Sequence, residues 1–128
     1  MRKDLIAHFD PKSHVSELFR TLRTNIQFMN SNKGLNSLLV TSTLPGEGKT
    51  WVSSNLAIAF AQADKKVVLI DADMRKCCLH TLFKVAPCPG LSTYWSGVND
   101  NKFEVQDLAN YIRGTKVPNL YLLPSGNV

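Results

Sequence analysis

The stretch Thr43-Leu44-Pro45-Gly46-Glu47-Gly48-Lys49-Thr50 stands between a short apolar run at 37–42 and a helical pattern over about 49–63. A buried strand, a glycine-containing bend and then a helix leave few folds open to a chain. The bend matches G-x-x-x-x-G-K-[ST] except at its first position, where Thr43 replaces glycine. Gly46 and Gly48 let the backbone turn its N–H groups toward phosphate oxygens. The helix that follows would aim its positive end at the same anion. Lys49 adds a point charge for the β- and γ-phosphates, and the Thr50 hydroxyl suits Mg²⁺, which takes hard oxygen ligands. The bland alternative, a glycine-rich turn with an exposed lysine, is disfavoured by the strand before it and the helix after it. Trp51 departs from the usual small residue, and its bulk would crowd the phosphate side.

A second apolar run, Val67-Val68-Leu69-Ile70, ends in Asp71-Ala72-Asp73-Met74-Arg75. Strand, helix and strand over this span read as a βαβ unit with parallel, buried strands and a right-handed crossover. Carboxylates at the C-terminal tip of such a strand face the ligand crevice of an open α/β sheet. Asp71 and Asp73 project to one side of an extended chain. They could hold Mg²⁺, or take a proton from a hydroxyl nucleophile; Arg75 could stabilise phosphate charge. The competing reading is that these charges only end a strand and begin a turn. The nucleotide-contacting candidates are thus Thr43, Leu44, Pro45, Gly46, Glu47, Gly48, Lys49, Thr50, Trp51 and Arg75.

Elsewhere the pattern predicts an irregular lead-in over 1–14 and a helix over 16–29 capped by Ser16. Val15, Leu18, Phe19, Leu22 and Ile26 form its apolar stripe. Val52, Leu56, Ala59 and Ala63 line one face of the 49–63 helix. Short helices are expected near 91–95 and 103–112, and a third strand at 119–124, in which Tyr121 reads as core. The 128 residues fit one domain at ~150 residues per domain. The expected division is a lead-in and first helix at 1–34 and a nucleotide-binding α/β core at 35–128. Only about three strands are visible where a doubly wound sheet usually has more, so the sheet reads as an incomplete one. Fifteen Lys+Arg against ten Asp+Glu give a net charge of +5. The basic residues are scattered with few aromatics between them, so no nucleic-acid partner is expected. No run approaches the ~18 apolar residues of a membrane span, and the expected location is cytoplasmic. Cys77, Cys78 and Cys88 read as reduced thiols.

With these segments in hand, the chain resembles the bacterial tyrosine kinases of capsule and exopolysaccharide synthesis, the cytoplasmic phosphate-loop type. Three stretches carry the likeness. The 41–50 segment resembles their Walker A loop, the 69–76 segment their Walker A′, and Glu17-Leu-Phe-Arg20-Thr-Leu-Arg23 their E-x-x-R-x-x-R oligomerisation motif. Asn55-Leu56-Ala57, Gly90-Leu91-Ser92 and Leu123-Pro124-Ser125-Gly126 are similar as well. The resemblance implies an α/β fold of the P-loop NTPase type, a parallel sheet flanked by helices, and phosphoryl transfer from Mg·ATP to tyrosine hydroxyls. It implies Lys49, Asp71 and Asp73 as catalytic residues and Thr50, Asp71 and Asp73 at the metal. It implies a homo-oligomer using Glu17, Arg20 and Arg23, and a membrane-anchored adaptor of polysaccharide export at the inner membrane face. By spacing alone, Glu17 and Arg20 are equally a solvated helix face. The family's Walker B strand and its tyrosine cluster do not occur in these residues, so two alternatives stand beside the kinase. One is a non-catalytic, truncated interaction module in kinase rings. The other is a partition or septum-positioning ATPase, which would carry lysine where Leu44 stands.

Overall fold

In the computed structural model, residues 4–29, 34, 36–43, 48–73, 78–99 and 105–126 are described; the side chains of 97–99 and 105–107 are not. The chain divides into two compact units, Met1–Lys65 and Lys66–Val128.

The first unit is helical where it is regular. The lead-in is not irregular throughout, because Ile6–Phe9 forms a short helix, α1. Its Ala7 and the preceding Leu5 are buried. Helix α2 spans His14–Met29 and so begins two residues before the expected start. Ser13 supplies the cap, its hydroxyl oxygen accepting the Ser16 N–H at 3.1 Å. Ser16 is instead buried, with its hydroxyl 2.6 Å from the Asp10 carbonyl and 3.1 Å from that of Ile6. Helix α3 spans Lys49–Gln62. Phe19 of α2 meets Leu56 and Ala59 of α3 in a core flanked by Ile6, Val15, Ile26, Val52 and Phe60. Leu18 and Leu22, expected on that stripe, lie on its rim and are 53% and 38% exposed. Burial on α3 is wider than the one face expected, taking in every residue from Ser54 to Ala59 and also Ala61, as suits a helix apolar on most sides.

The expected strand at 37–42 is not a strand. The described residues 36–43 join no ladder, and Leu38 and Leu39 are 49% and 84% exposed. An apolar run becomes a strand only when a neighbour takes its N–H and C=O groups, and that partner is invisible to local pattern. Of the expected βαβ unit, the helix and the second strand are therefore observed.

The second unit holds a three-stranded sheet. Strand β1 (Val67–Ile70) pairs in parallel with β3 (Leu120–Leu123), matching Val67 with Leu120 and Ile70 with Leu123. A two-residue strand, β2 (Arg113–Gly114), adds an antiparallel edge, giving the order β1-β3-β2. The sheet is thus mixed. Leu120, Leu122 and Leu123 are buried, whereas Tyr121 faces outward beside Val68, its register partner, and is not core. Helices α4 (Leu79–Phe83) and α5 (Leu91–Asn99) and a 3₁₀ helix at Val105–Tyr111 complete the unit. The Leu91 and Ser92 N–H groups at the start of α5 donate to the Pro124 and Ser125 carbonyls, both at 2.8 Å. A Cβ on Gly90 would overlap the Pro124 carbonyl and the Gly126 backbone, so only glycine permits this approach. The Gly90-Leu-Ser and Leu123-Pro-Ser-Gly stretches of the sequence are therefore two sides of one backbone contact.

Candidate nucleotide site

The phosphate loop lies partly outside the described residues, which do not include Leu44, Pro45, Gly46 or Glu47. Its two ends are described. Thr43 is exposed and is not among the residues with positive φ, so a β-branched side chain is unstrained where the motif usually has glycine. Gly48 has a φ of +83° and forms the N-cap of α3. That left-handed turn, open to glycine and strained for other residues, leads the chain into the helix. No side chain hydrogen-bonds into this cap, and the first turn carries no acidic residue. Among the described residues, then, Gly48 receives no side-chain cap and the first turn of α3 brings no carboxylate of its own, which suits a helix start that meets a phosphate. Lys49 and Thr50, the next two residues, are half-buried. A lysine charge and a hydroxyl at an uncapped, positive helix end fit a polyphosphate and its Mg²⁺.

Trp51 follows as the third residue of α3. Its indole packs edge-on against Phe19 of α2, with ring centroids 5.1 Å apart. The indole thus takes part in the α2–α3 contact.

In the second unit Asp71 directly follows β1 and is 4% exposed. One carboxylate oxygen accepts the Asp73 N–H at 3.1 Å and the other accepts the Leu79 N–H, the first of α4, at 3.3 Å. Its own N–H donates to the Leu123 carbonyl at 3.0 Å, fixing the residue to β3. Burial pushes its pKa up, and the charge of Asp73 adds to this. The two N–H bonds and His80 oppose the rise without cancelling it. Among the described residues each oxygen accepts one N–H bond, and a carboxylate oxygen has a second lone pair with which to meet a hydroxyl or a hydrated cation. Asp73 is half-buried and Ala72 between them is exposed. Arg75 lies outside the described residues.

The expected oligomerisation residues divide. Glu17 is exposed. The Arg20 guanidinium donates to the Pro11 carbonyl at 2.6 Å, and that of Arg23 to the Ala59 carbonyl at 2.6 Å. Ala59 is among the last four residues of α3, whose carbonyls lack helical partners, so Arg23 caps that helix with a cation. The Arg23 Nε is buried and has no hydrogen-bond partner among the described residues.

Two residues beyond the candidate set brace α3. Asn55, fully buried, accepts the Ala7 N–H at 3.0 Å and donates to the carbonyls of Asp4 at 2.7 Å and Trp51 at 2.9 Å. Gln62 donates to the Ala7 carbonyl at 2.8 Å. The sequence signal was an amide at each end of the apolar run Leu56-Ala-Ile-Ala-Phe-Ala61, since a buried polar group demands partners.

Residues 38–116 match the family model described as the CobQ/CobB/MinD/ParA nucleotide binding domain. The chain belongs to that family of P-loop, nucleotide-binding α/β domains. Within it, the relatives and solved structures that it resembles are bacterial tyrosine kinases. Tyrosine-protein kinase YwqD of Bacillus subtilis (strain 168) is 47% identical over 93 residues, 73% of this chain and 39% of that protein. The kinase domain of the Escherichia coli tyrosine kinase ETK superposes with a TM-score of 0.84 at 35% identity, covering 97% of this chain and 46% of that one. The chimerical protein CapA2B2 gives a TM-score of 0.82 at 37% identity, covering 98% and 52%. The chain spans about half the length, or less, of the proteins it matches.

Proposed function

We propose that this chain binds Mg·ATP and works as part of a protein-tyrosine kinase of capsular or exopolysaccharide biosynthesis, with tyrosine hydroxyls as phosphoryl acceptors. The observation that carries this reading is the left-handed Gly48 opening an uncapped α3 immediately before Lys49 and Thr50. In this reading the segment from Thr43 to Trp51, with Arg75, holds the phosphates. Lys49 neutralises charge on the transferring group, and the Thr50 hydroxyl with Asp71 and Asp73 holds Mg²⁺. The ion, when bound, offsets the negative charge that builds on the phosphoryl oxygens. Asp71 accepts the tyrosine proton, a role its burial favours by moving its pKa toward neutrality, and Asp73 supports it. Residues 1–34 serve assembly and 35–128 the nucleotide. Glu17, Arg20 and Arg23 contribute to contacts in a homo-oligomer. A membrane-anchored adaptor would hold the chain at the inner face of the membrane; among the described residues, no helix is long and apolar enough to cross it.

The test is to purify the chain, titrate Mg·ATP by calorimetry, and follow phosphotyrosine in the same samples. Saturable binding lost in Lys49→Met, together with phosphotyrosine, is the expected result. Binding without phosphotyrosine would point to the non-catalytic interaction module. A folded chain that fails to bind would defeat the nucleotide reading.

A further inference from the structure

We propose that Asn55 is a positioning residue for the nucleotide, acting through a brace that the N-terminal segment lays along α3; this rests on the nucleotide-binding reading above. The Asn55 amide commits its oxygen and its nitrogen to three backbone groups, those of Asp4, Ala7 and Trp51. Asn55 is fully buried, so water offers those groups no substitute. Seven residues on, Gln62 holds the Ala7 carbonyl. Both backbone polar groups of Ala7 are therefore gripped by side chains two turns apart on α3, while Leu5 and Ala7 bury their side chains. The third Asn55 bond reaches Trp51, in the first turn of α3 and next to Thr50. A helix start with no side-chain cap, preceded by a left-handed glycine, is the part of a helix most prone to open. Here that turn carries Lys49 and Thr50. Asn55 ties it to a buried segment and so raises the fraction of molecules in which the turn is already formed. The apparent affinity for a ligand of that turn scales with that fraction.

The experiment compares the full chain with Lys49→Met, Asn55→Ala, Gln62→Ala and Ser16→Ala, well below each melting temperature. Ser16→Ala unties Ile6 and Asp10 from α2 but leaves every bond to the first turn of α3, so it controls for simple destabilisation. Asn55→Ala is expected to bind Mg·ATP about tenfold more weakly, Gln62→Ala less so, and Ser16→Ala like the parent. Without nucleotide, amide exchange in Asn55→Ala should quicken at 50–53 more than at 58–62. Asn55→Ala binding within about twofold of the parent, or exchanging uniformly along α3, overturns the role. Should Asn55→Ala not fold, unchanged affinity in Gln62→Ala overturns it. A parent that binds no nucleotide overturns the underlying reading and this role with it, whereas a parent that binds as Asn55→Ala does overturns the role alone.

Discussion

Gly48 cannot easily be anything else, because at a φ of +83° a Cβ meets its own backbone although no other atom lies near. Gly48→Ala should cost about 1 kcal/mol, visible as an earlier midpoint in urea. Gly90→Ala should cost more, about 3 kcal/mol, since its Cβ would meet backbone on two sides and the β3–α5 contact must part. At Asp71 the question is one of pH. Its folded-state pKa lies above the 3.8 of an ordinary aspartate, chiefly through burial. The folded chain therefore binds this proton more tightly than the unfolded one. Asp71 costs stability at neutral pH, and the cost is relieved as pH falls through the raised value toward 3.8. Asp71→Asn lacks the titrating group, so on acidification from about pH 7 to about pH 4 the parent's melting temperature should gain on the variant's. A difference between the two that stays flat across that range would show the carboxylate to be unperturbed.

Among the elements, α3 is held at both ends, by Asn55 near its start and by Arg23 at its close. Arg23→Ala removes a cation from the α3 C-terminus and leaves the Ala59 carbonyl without its side-chain donor; a loss of about 1–2 kcal/mol is expected by chemical denaturation. Ser54 offers the opposite case. Its hydroxyl is buried and unpartnered among the described residues, so Ser54→Ala should leave stability level or slightly raised. These contrasts mark what the sequence could tell. Helices α2, α3 and α5, strands β1 and β3 and the glycine before Lys49 were legible because each is written in local spacing or local backbone need, whereas α1 and α4, of four and five residues, are too short to show a period. The failure at 37–42 has the same root: Leu38-Leu39-Val40 has the composition of a strand, but a ladder needs a partner that spacing does not name. Tyr121 was misplaced because side chains alternate along a strand, which turns Tyr121 outward between the buried Leu120 and Leu122, and an apolar run does not say which of its residues that will be. The roles of Asn55 and Arg23 were hidden because their partners lie 48 and 36 residues away in sequence.

For the whole molecule, the issue is whether the 17–23 motif builds the subunit or joins subunits. The two functions make different demands on the same helix. Arg20 and Arg23 are engaged with carbonyls of their own chain, so substituting Arg23 disturbs folding and assembly together. Glu17 is exposed and sits in the first turn of α2, where a carboxylate gains only a few tenths of a kcal/mol from the helix dipole. Glu17→Ala should therefore move stability by no more than about 0.5 kcal/mol. If residues 17–23 contribute to a subunit contact, the same substitution should lower the mass seen by light scattering at fixed concentration, because a charge at an interface loses its partner. Mg·ATP affinity per chain should stay at the parent's value, as Glu17 belongs to no part of the α3 start. Light scattering that finds equal mass for parent and Glu17→Ala would leave the motif as an internal strut, with Arg23 capping the helix that begins at the phosphate loop.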